Sequence, residues 1–335
     1  MEKLTSSYVC QVCGNVCDIE REDCFNCGNK FVFANVFAGE KGYTLWTSYI
    51  SKLKAETERK KRERFRANKI SLFNSQVCLS NNDENYTTVY SGDGNPKRFD
   101  GVVQYSAGAR HTVMLRSDGT VTAYGVTDDG QCNLGDLTGI KYVYAGANCT
   151  YAIDSAGKVI VKGFSPVEDI VSTWENMVKI VGNKGRIVGL SKDGVVKIAD
   201  DMQSVEMSAT DAVDIDTTYN FSVWLKKDGT VGCFGKASDA RNGVTNWENI
   251  IAIGVENNYA IGVLKDGAIV LAGKSPEGFD LGRNSAGDWK NVVSVACSNS
   301  AMMGIFSDGS VKIVGNAENK DKLETEISKD LVKYL

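Results

Sequence analysis

From about residue 75 onward the chain alternates apolar and polar positions in short runs, and the alternation restarts at a nearly constant interval. The segment HTVMLRSDGTVTAYG (111–125) has counterparts in YAIDSAGKVIVKG (151–163), RIVGLSKDGVVKIAD (186–200), FSVWLKKDGTVGCFG (221–235), YAIGVLKDGAIVLAG (259–273) and AMMGIFSDGSVKIVG (301–315). The turn glycines Gly119, Gly157, Gly194, Gly229, Gly267 and Gly309 are spaced by 38, 37, 35, 38 and 42 residues. In each unit two alternating stretches flank Asp-Gly or Ala-Gly. Alternation turns one side of a strand toward a core, and glycine supplies the positive φ of a tight turn, so each unit predicts an antiparallel hairpin.

A third apolar run precedes each hairpin: Val102–Tyr105, Ile140–Tyr144, Met177–Val181, Ala212–Ile215, Ile250–Ile253 and Val292–Val295. Three of these follow a Trp-x-Asn element, at Trp174, Trp247 and Trp289, whose equivalent positions mark them as blade packing. Units of three or four strands repeated every ~40 residues are the signature of β-propeller blades. A degenerate copy stands ahead of the clear six. Val77-Cys78-Leu79-Ser80 aligns with Val113–Arg116 and Tyr86–Gly92 with Thr120–Gly125, but no leading strand is evident. Residues 330–335 resemble Gly139–Tyr144 and are expected to supply it. The expectation is therefore an all-β, seven-bladed propeller over 71–335, closed by strands from its two ends so that no edge stays unpaired. Six blades with an irregular leader is the alternative.

The repeat resembles that of the regulator of chromosome condensation family, in its bacterial form. The residues that carry the likeness are Ala107-Gly108-x-x-His111-Thr-Val, Ser117-Asp118-Gly119-Thr-Val and Gly130-Gln131-Cys132-Asn133, over about three-quarters of the chain. Gly-Gln-Cys-Asn occurs once only, and the unit at 186–200 ends in Ala-Asp where the others end in glycine. The resemblance implies the propeller fold and loops presented to a macromolecular partner. The family includes guanine-nucleotide exchange factors, chromatin binders and a secreted β-lactamase inhibitor, so it implies no particular partner.

Cysteine usage separates the first 36 residues from the rest. Cys10-Gln-Val-Cys13-Gly and Cys24-Phe-Asn-Cys27-Gly are two copies of one knuckle, and four thiolates so spaced suit tetrahedral zinc. Cys10, Cys13, Cys24 and Cys27 are thus expected to hold a structural Zn2+ in a ribbon over residues 1–36, with Cys17 a bystander or an exchange partner of Cys13. So short a segment buries too little surface to fold without the metal. Cys78, Cys132, Cys149, Cys233 and Cys297 lie scattered in apolar runs as buried thiols. Clustered cysteines and the absence of a signal-like apolar stretch in Met1–Ser7 lead to an expected cytoplasmic setting. No run of 18 apolar residues is present to span a membrane.

Net charge changes the picture in one place. The chain carries −4, but residues 52–69 contain nine Lys or Arg and three Glu, which is +6, leaving −10 elsewhere. Within 37–70, Trp46, Tyr49, Ile50 and Leu53 share one helical face. The segment reads as a helical linker whose basic part is either a solvated spacer or a contact for nucleic acid.

Catalysis is not expected. The single histidine, His111, opens a middle strand where other units have Cys149, Arg186, Phe221, Tyr259 and Ala301, so that position makes no demand for an imidazole. A nucleophile elbow and a Walker loop are both missing. Turn aspartates recur because hairpin geometry favours them. Function on such a ring belongs to its loops. The loop entering each hairpin presents Arg110, Asn148, Gly185, Asn220, Asn258 and Ser300, with Lys184 and Tyr219 adjacent. Arg110, Asn148, Lys184, Tyr219, Asn220 and Asn258 are the candidate partner-binding residues. The function expected is a non-enzymatic adaptor or inhibitor gripping a protein, without membrane or small-molecule substrate. A nucleic-acid-associated regulator and an exchange-factor-like role are the alternatives.

Overall fold

The computed structural model describes residues 7–9, 16–18, 69–73, 76–81, 86–90 and 94–331, apart from 184, 201–203, 208–209, 237, 277, 299–300 and 318. Two compact units result, Met1–Phe65 and Arg66–Leu335. In the first, Ser7–Val9 pairs antiparallel with Val16–Asp18, with Tyr8 opposite Cys17. Cys10, Cys13, Cys24 and Cys27 lie outside the described residues, as does the expected helical linker as far as residue 68.

In the second unit the hairpin repeat becomes seven antiparallel sheets, each made of strands in chain order. Their inner strands are Lys69–Phe73, Val102–Ala107, Ile140–Ala145, Met177–Asn183, Ala212–Thr217, Ile250–Val255 and Val292–Cys297, which number blades 1 to 7. Each inner strand packs beside the next, and Val292–Cys297 packs beside Lys69–Phe73. The ring is closed, and the chain is a seven-bladed β-propeller. Blades 1 and 4 add a fourth strand, Lys97–Asp100 and Ser204–Met207.

A repeated backbone staple fixes one blade to the next. The first inner-strand amide donates to the turn glycine of the preceding blade: Ile140 to Gly119 (3.0 Å), Met177 to Gly157 (2.8 Å), Ala212 to Gly194 (3.1 Å), Ile250 to Gly229 (2.9 Å) and Val292 to Gly267 (2.9 Å). At Gly157 (φ 80°) a Cβ would stand 2.7 Å from Asn176 Cα, so the turn tolerates no side chain for two independent reasons. The Trp-x-Asn elements serve the same seam. Asn176, Asn249 and Asn291 hold φ near +60° (59°, 59° and 60°), and their carbonyls accept from Lys192, Lys265 and Ser307. The three indoles lie over Gly189, Gly262 and Gly304, each 15 positions after its tryptophan, where a Cβ would meet the ring at 2.6–2.9 Å. These tryptophans are packing residues.

Closure differs from the sequence expectation. Blade 1 takes its inner strand from Lys69–Phe73, which pairs with Gln76–Asn81, and not from residues 330–335. Lys69 and Ile70 therefore belong to the propeller, although the linker was expected to run to residue 70. Residues Lys320–Leu331 form a helix. Leu323 and Ile327 are fully buried and Leu331 nearly so, an i, i+4, i+8 stripe that suits a helix and no strand. The helix lies along the outer strand of blade 7 and reaches blade 1. Val311 N donates to Ser328 Oγ (3.0 Å), Ile313 N to Glu324 Oε1 (2.5 Å), and Gly94 N to Glu326 Oε1 (2.6 Å). Side chains of the helix thus take alternate amides of an edge that a fourth strand would otherwise pair, and join the last blade to the first.

Candidate protein-interaction face

The meander sends the Asp-Gly turns to one end of the ring and the inner-to-middle loops to the other, here called the loop face. The turn carboxylates are spent locally: Asp118, Asp228, Asp266 and Asp308 each accept the backbone N–H two residues on. Hydrogen bonds from Thr120 hold the Asp118 carboxyl below its ordinary value. These aspartates are structural.

The loop-face loops are tight. Gly108, Gly146, Thr218, Glu256 and Ser298 each donate N–H to the carbonyl three residues ahead, at 2.8–2.9 Å. Arg110 and Asn148 come together, but Arg110 is not free. Its guanidinium reaches Asp128 (3.2 Å), Asp129 (3.4 Å) and Asn148 Oδ1 (3.5 Å). Asn220 Oδ1 accepts from Arg241 (2.8 Å), and Asn258 is half-buried. Tyr219 is 58% exposed. Lys184 lies outside the described residues.

A second ring of positions stands beside this one. The residue after the glycine that closes each outer strand returns its amide to the loop tip: Val126 to Arg110 (3.0 Å), Phe164 to Asn148 (3.0 Å) and Lys274 to Asn258 (3.1 Å). Lys236, after Gly235, holds the same place in blade 5. The sequence signal was available, since each of these residues follows a repeat glycine. Among the described residues seven large hydrophobics are exposed. Tyr124, Phe164, Tyr219, Phe279 and Leu281 are at or next to the loop face, whereas Val178 and Val213 sit at the other mouth. Five of the seven thus lie toward one end of the ring, which makes that end the candidate interaction face.

Beneath Tyr219, Phe279 and Leu281 runs an ion network that the sequence did not announce. Glu256 is fully buried, and its carboxylate takes Arg283 at 3.0 Å, with side-chain exposures of 0% and 3%. Arg241 Nη1 donates to the Glu256 carbonyl (3.0 Å), and its Nη2 pairs with Asp239 (2.6 Å). Arg283 also donates to Ser275 Oγ (2.6 Å) and to the Phe279 carbonyl. Burial pushes the Glu256 carboxyl up, against the pull of the Arg283 charge. Such a network stabilises little on balance but fixes geometry. Arg241 and Arg283 are buried in the connections after blades 5 and 6, as Gln131 is in the connection after blade 2.

Polar side chains of the inner strands bridge neighbouring blades. Gln104 exchanges two hydrogen bonds with the Val143 backbone, and Lys179 reaches Asp214 (2.6 Å) and the Ile215 carbonyl (3.0 Å). Asp216 Oδ2 accepts from Val255 N at 2.8 Å. Each side chain thus ties its inner strand to the next. Burial raises the Asp216 carboxyl to about 6, partly offset by Lys179. Asp214 and Asp216, two positions apart on one strand, are partnered by Lys179 and backbone amides. No group of three potential metal ligands occurs among the described residues.

His111 is buried between blades 2 and 3. Its Nε2 lies 2.8 Å from Thr150 Oγ1, whose hydroxyl donates to the Gln131 carbonyl at 2.9 Å. We assign the ring proton to Nε2 on this network, leaving Nδ1 buried without a partner. Burial lowers its pKa from the ordinary value. The folded protein then binds fewer protons than the unfolded chain below about pH 6.5, so stability present above that pH is lost as pH falls. Urea midpoints measured from pH 7 to 5 are expected to fall less in His111→Phe, the residue type blade 5 uses here. Equal pH dependence in the two proteins would remove His111 from this role.

Seven antiparallel sheets closed into a ring make this a seven-bladed β-propeller. No protein-family model matches the chain, and no curated protein matches its sequence. The structure is similar to that of Prp20p from Saccharomyces cerevisiae, at 14% identity and a TM-score of 0.51, over 76% of this chain and 84% of that one. It is similar to yeast RCC1 (Prp20) solved with Kap60, at 15% identity, TM-score 0.51, over 76% and 81% of the chains. The CRINKLY WD40 ectodomain of the Arabidopsis thaliana receptor kinase ACR4 is a further likeness, at 18%, TM-score 0.54, over 74% and 94%. At such identities the likeness is one of fold.

Proposed function

We propose that the chain is a non-enzymatic adaptor or inhibitor of the cytoplasm, whose propeller grips a protein partner on the loop face. The observation that carries this is the gathering of Tyr124, Phe164, Tyr219, Phe279 and Leu281 at one end of the ring. The structural neighbours lend it support, since Prp20p is described with Gsp1p and histone binding and yeast RCC1 was solved bound to Kap60. Arg110, Asn148, Asn220 and Asn258 then supply the polar frame around aromatic anchors; Lys184, outside the described residues, belongs to the same proposed set. Affinity capture with mass spectrometry tests this: Phe164→Ala/Tyr219→Ala/Phe279→Ala is expected to lose the partner without loss of thermal stability. Val178→Ala/Val213→Ala, at the opposite mouth, should retain it. Loss in the second variant and retention in the first would reverse the assignment.

Cys10, Cys13, Cys24 and Cys27 hold a structural zinc in this proposal, and the ribbon they organise docks a second surface. Four thiolates leave the metal no open position for catalysis. Metal analysis should give about one zinc per chain, lost in Cys10→Ser/Cys24→Ser with the β-sheet circular dichroism unchanged. Zinc retained by that variant would refute the ligand set. The +6 charge of residues 52–69 favours a second reading, contact with nucleic acid. Heparin retention that survives deletion of residues 1–68, which leaves the blade 1 strand Lys69–Phe73 whole, would dismiss it.

A further inference from the structure

The loop face over blades 5 to 7 combines three features that together specify a partner chemistry. The first is the exposure of three apolar side chains, Tyr219 (58% exposed), Phe279 (66%) and Leu281 (53%), on adjoining loops. Leu281 sits at φ 52°, a conformation costly for a branched side chain. It is nevertheless turned to solvent, its carbonyl held by Gly315 N at 3.1 Å. The second is the support beneath. Arg241 ties the Tyr219 loop through Asn220 to the Glu256 loop, and Arg283 ties Glu256 to the Phe279 carbonyl. The anchors are therefore preorganised, which lowers the ordering cost of association.

The third feature is charge. The described carboxylates of this sector are already engaged: Asp239 by Arg241, Glu256 by Arg283, and Asp280 by the Tyr259 hydroxyl (2.9 Å) and Asn284 N. The hydrogen bonds to Asp239 hold its carboxyl ionised and committed to Arg241. Lys236 and Lys274 open the connections after blades 5 and 6 on this face, both exposed, with no ion pair for either ammonium among the described residues. Across the ring the balance is reversed: Arg110 is spent on Asp128 and Asp129, and Glu168 and Asp169 stand exposed in the connection after blade 3.

We propose that this sector is a docking site for an acidic segment of a partner protein, in which an aromatic or leucine side chain inserts against Tyr219, Phe279 and Leu281 while flanking Asp or Glu residues face Lys236 and Lys274. The assignment rests on the loop face being the partner face and adds the partner's chemistry. The two lysines steer and select, and the apolar anchor supplies most of the affinity.

The probe is a displayed library of random dodecapeptides selected on the full chain, with hits then measured as synthetic peptides by fluorescence anisotropy. Selected sequences are expected to place Asp or Glu around Trp, Phe or Leu. Their affinity should fall about tenfold or more in Lys236→Glu/Lys274→Glu and in Phe279→Ala, and weaken with added salt. Circular dichroism melts confirm that the variants fold, and the lysine pair is exposed enough to leave stability unchanged. Basic or uncharged hits, no hits, or hits indifferent to the lysine reversal would overturn the proposal. If hits bind the loop face through Arg110 or Phe164 instead, only the acidic-segment assignment fails. If they ignore every loop-face variant, the face itself is wrong.

Discussion

Leu323→Asp/Ile327→Asp is expected to unfold the propeller, or to leave it without a cooperative transition. Both side chains are fully buried beneath the helix Lys320–Leu331. Truncating a buried leucine or isoleucine costs about 2–5 kcal/mol, and placing a carboxylate there adds desolvation. The pair together is comparable to the whole stability of a domain, about 5–15 kcal/mol. The helix also holds the one seam that no chain connection crosses, between blades 7 and 1. A gentler variant separates local from global effects. Ser328→Ala removes the acceptor of Val311 N and should cost ~1–3 kcal/mol. Its expected signature is faster hydrogen exchange at Val311, with middle-strand amides of blades 3 to 5 unchanged. Uniformly faster exchange would show that the helix is no special seam.

Breaking the Glu256–Arg283 pair is the second large effect. Both partners are buried, so Arg283→Met strands a carboxylate in a low-dielectric site, at about 3–5 kcal/mol. Glu256→Met strands a guanidinium and should cost a similar amount. The double variant is expected to cost less than either single one, because no uncompensated charge remains. Thermal or urea denaturation of the four proteins gives the coupling directly. Simple additivity would mean that the two side chains act independently. The double variant has a further use: it regains stability without restoring the tether to Phe279, so partner capture should stay weakened.

Most of the ring was legible because its physics is local. Asp-Gly turns between alternating strands fix the hairpins, and the Trp-x-Asn elements flag the blade seams. The Trp-to-Gly distance of 15 residues was equally available, since a glycine in mid-strand needs a reason and the indole is that reason. The closing device was misread because Asp330–Leu335 resembles an inner strand by composition. The helical period of Leu323, Ile327 and Leu331, a few residues earlier, decides against a strand, and Lys69–Phe73 supplies the missing inner strand from a stretch that followed a basic run.

The candidate site was only half legible. Counting back from the turn aspartates placed Arg110, Asn148, Tyr219, Asn220 and Asn258 on one face, because a hairpin of fixed length puts equivalent residues at equivalent ends. Which of them are free is a matter of tertiary pairing. Nothing in a string of residues tells that Asp128 and Asp129 take Arg110, or that Arg241 takes Asn220. The buried arginines were missed because arginine is ordinarily a surface residue, and only the coincidence of Glu256, Arg241 and Arg283 in space makes their burial tolerable.

The most direct test is hydrogen exchange of the full chain, free and with its captured partner. Protection is expected in the loops at 108–110, 146–148, 218–221 and 256–258 and in the connection at 274–281, with the Asp-Gly turns unaffected. Protection at 117–120, 227–230 and 266–268 with the loops left open would contradict the account.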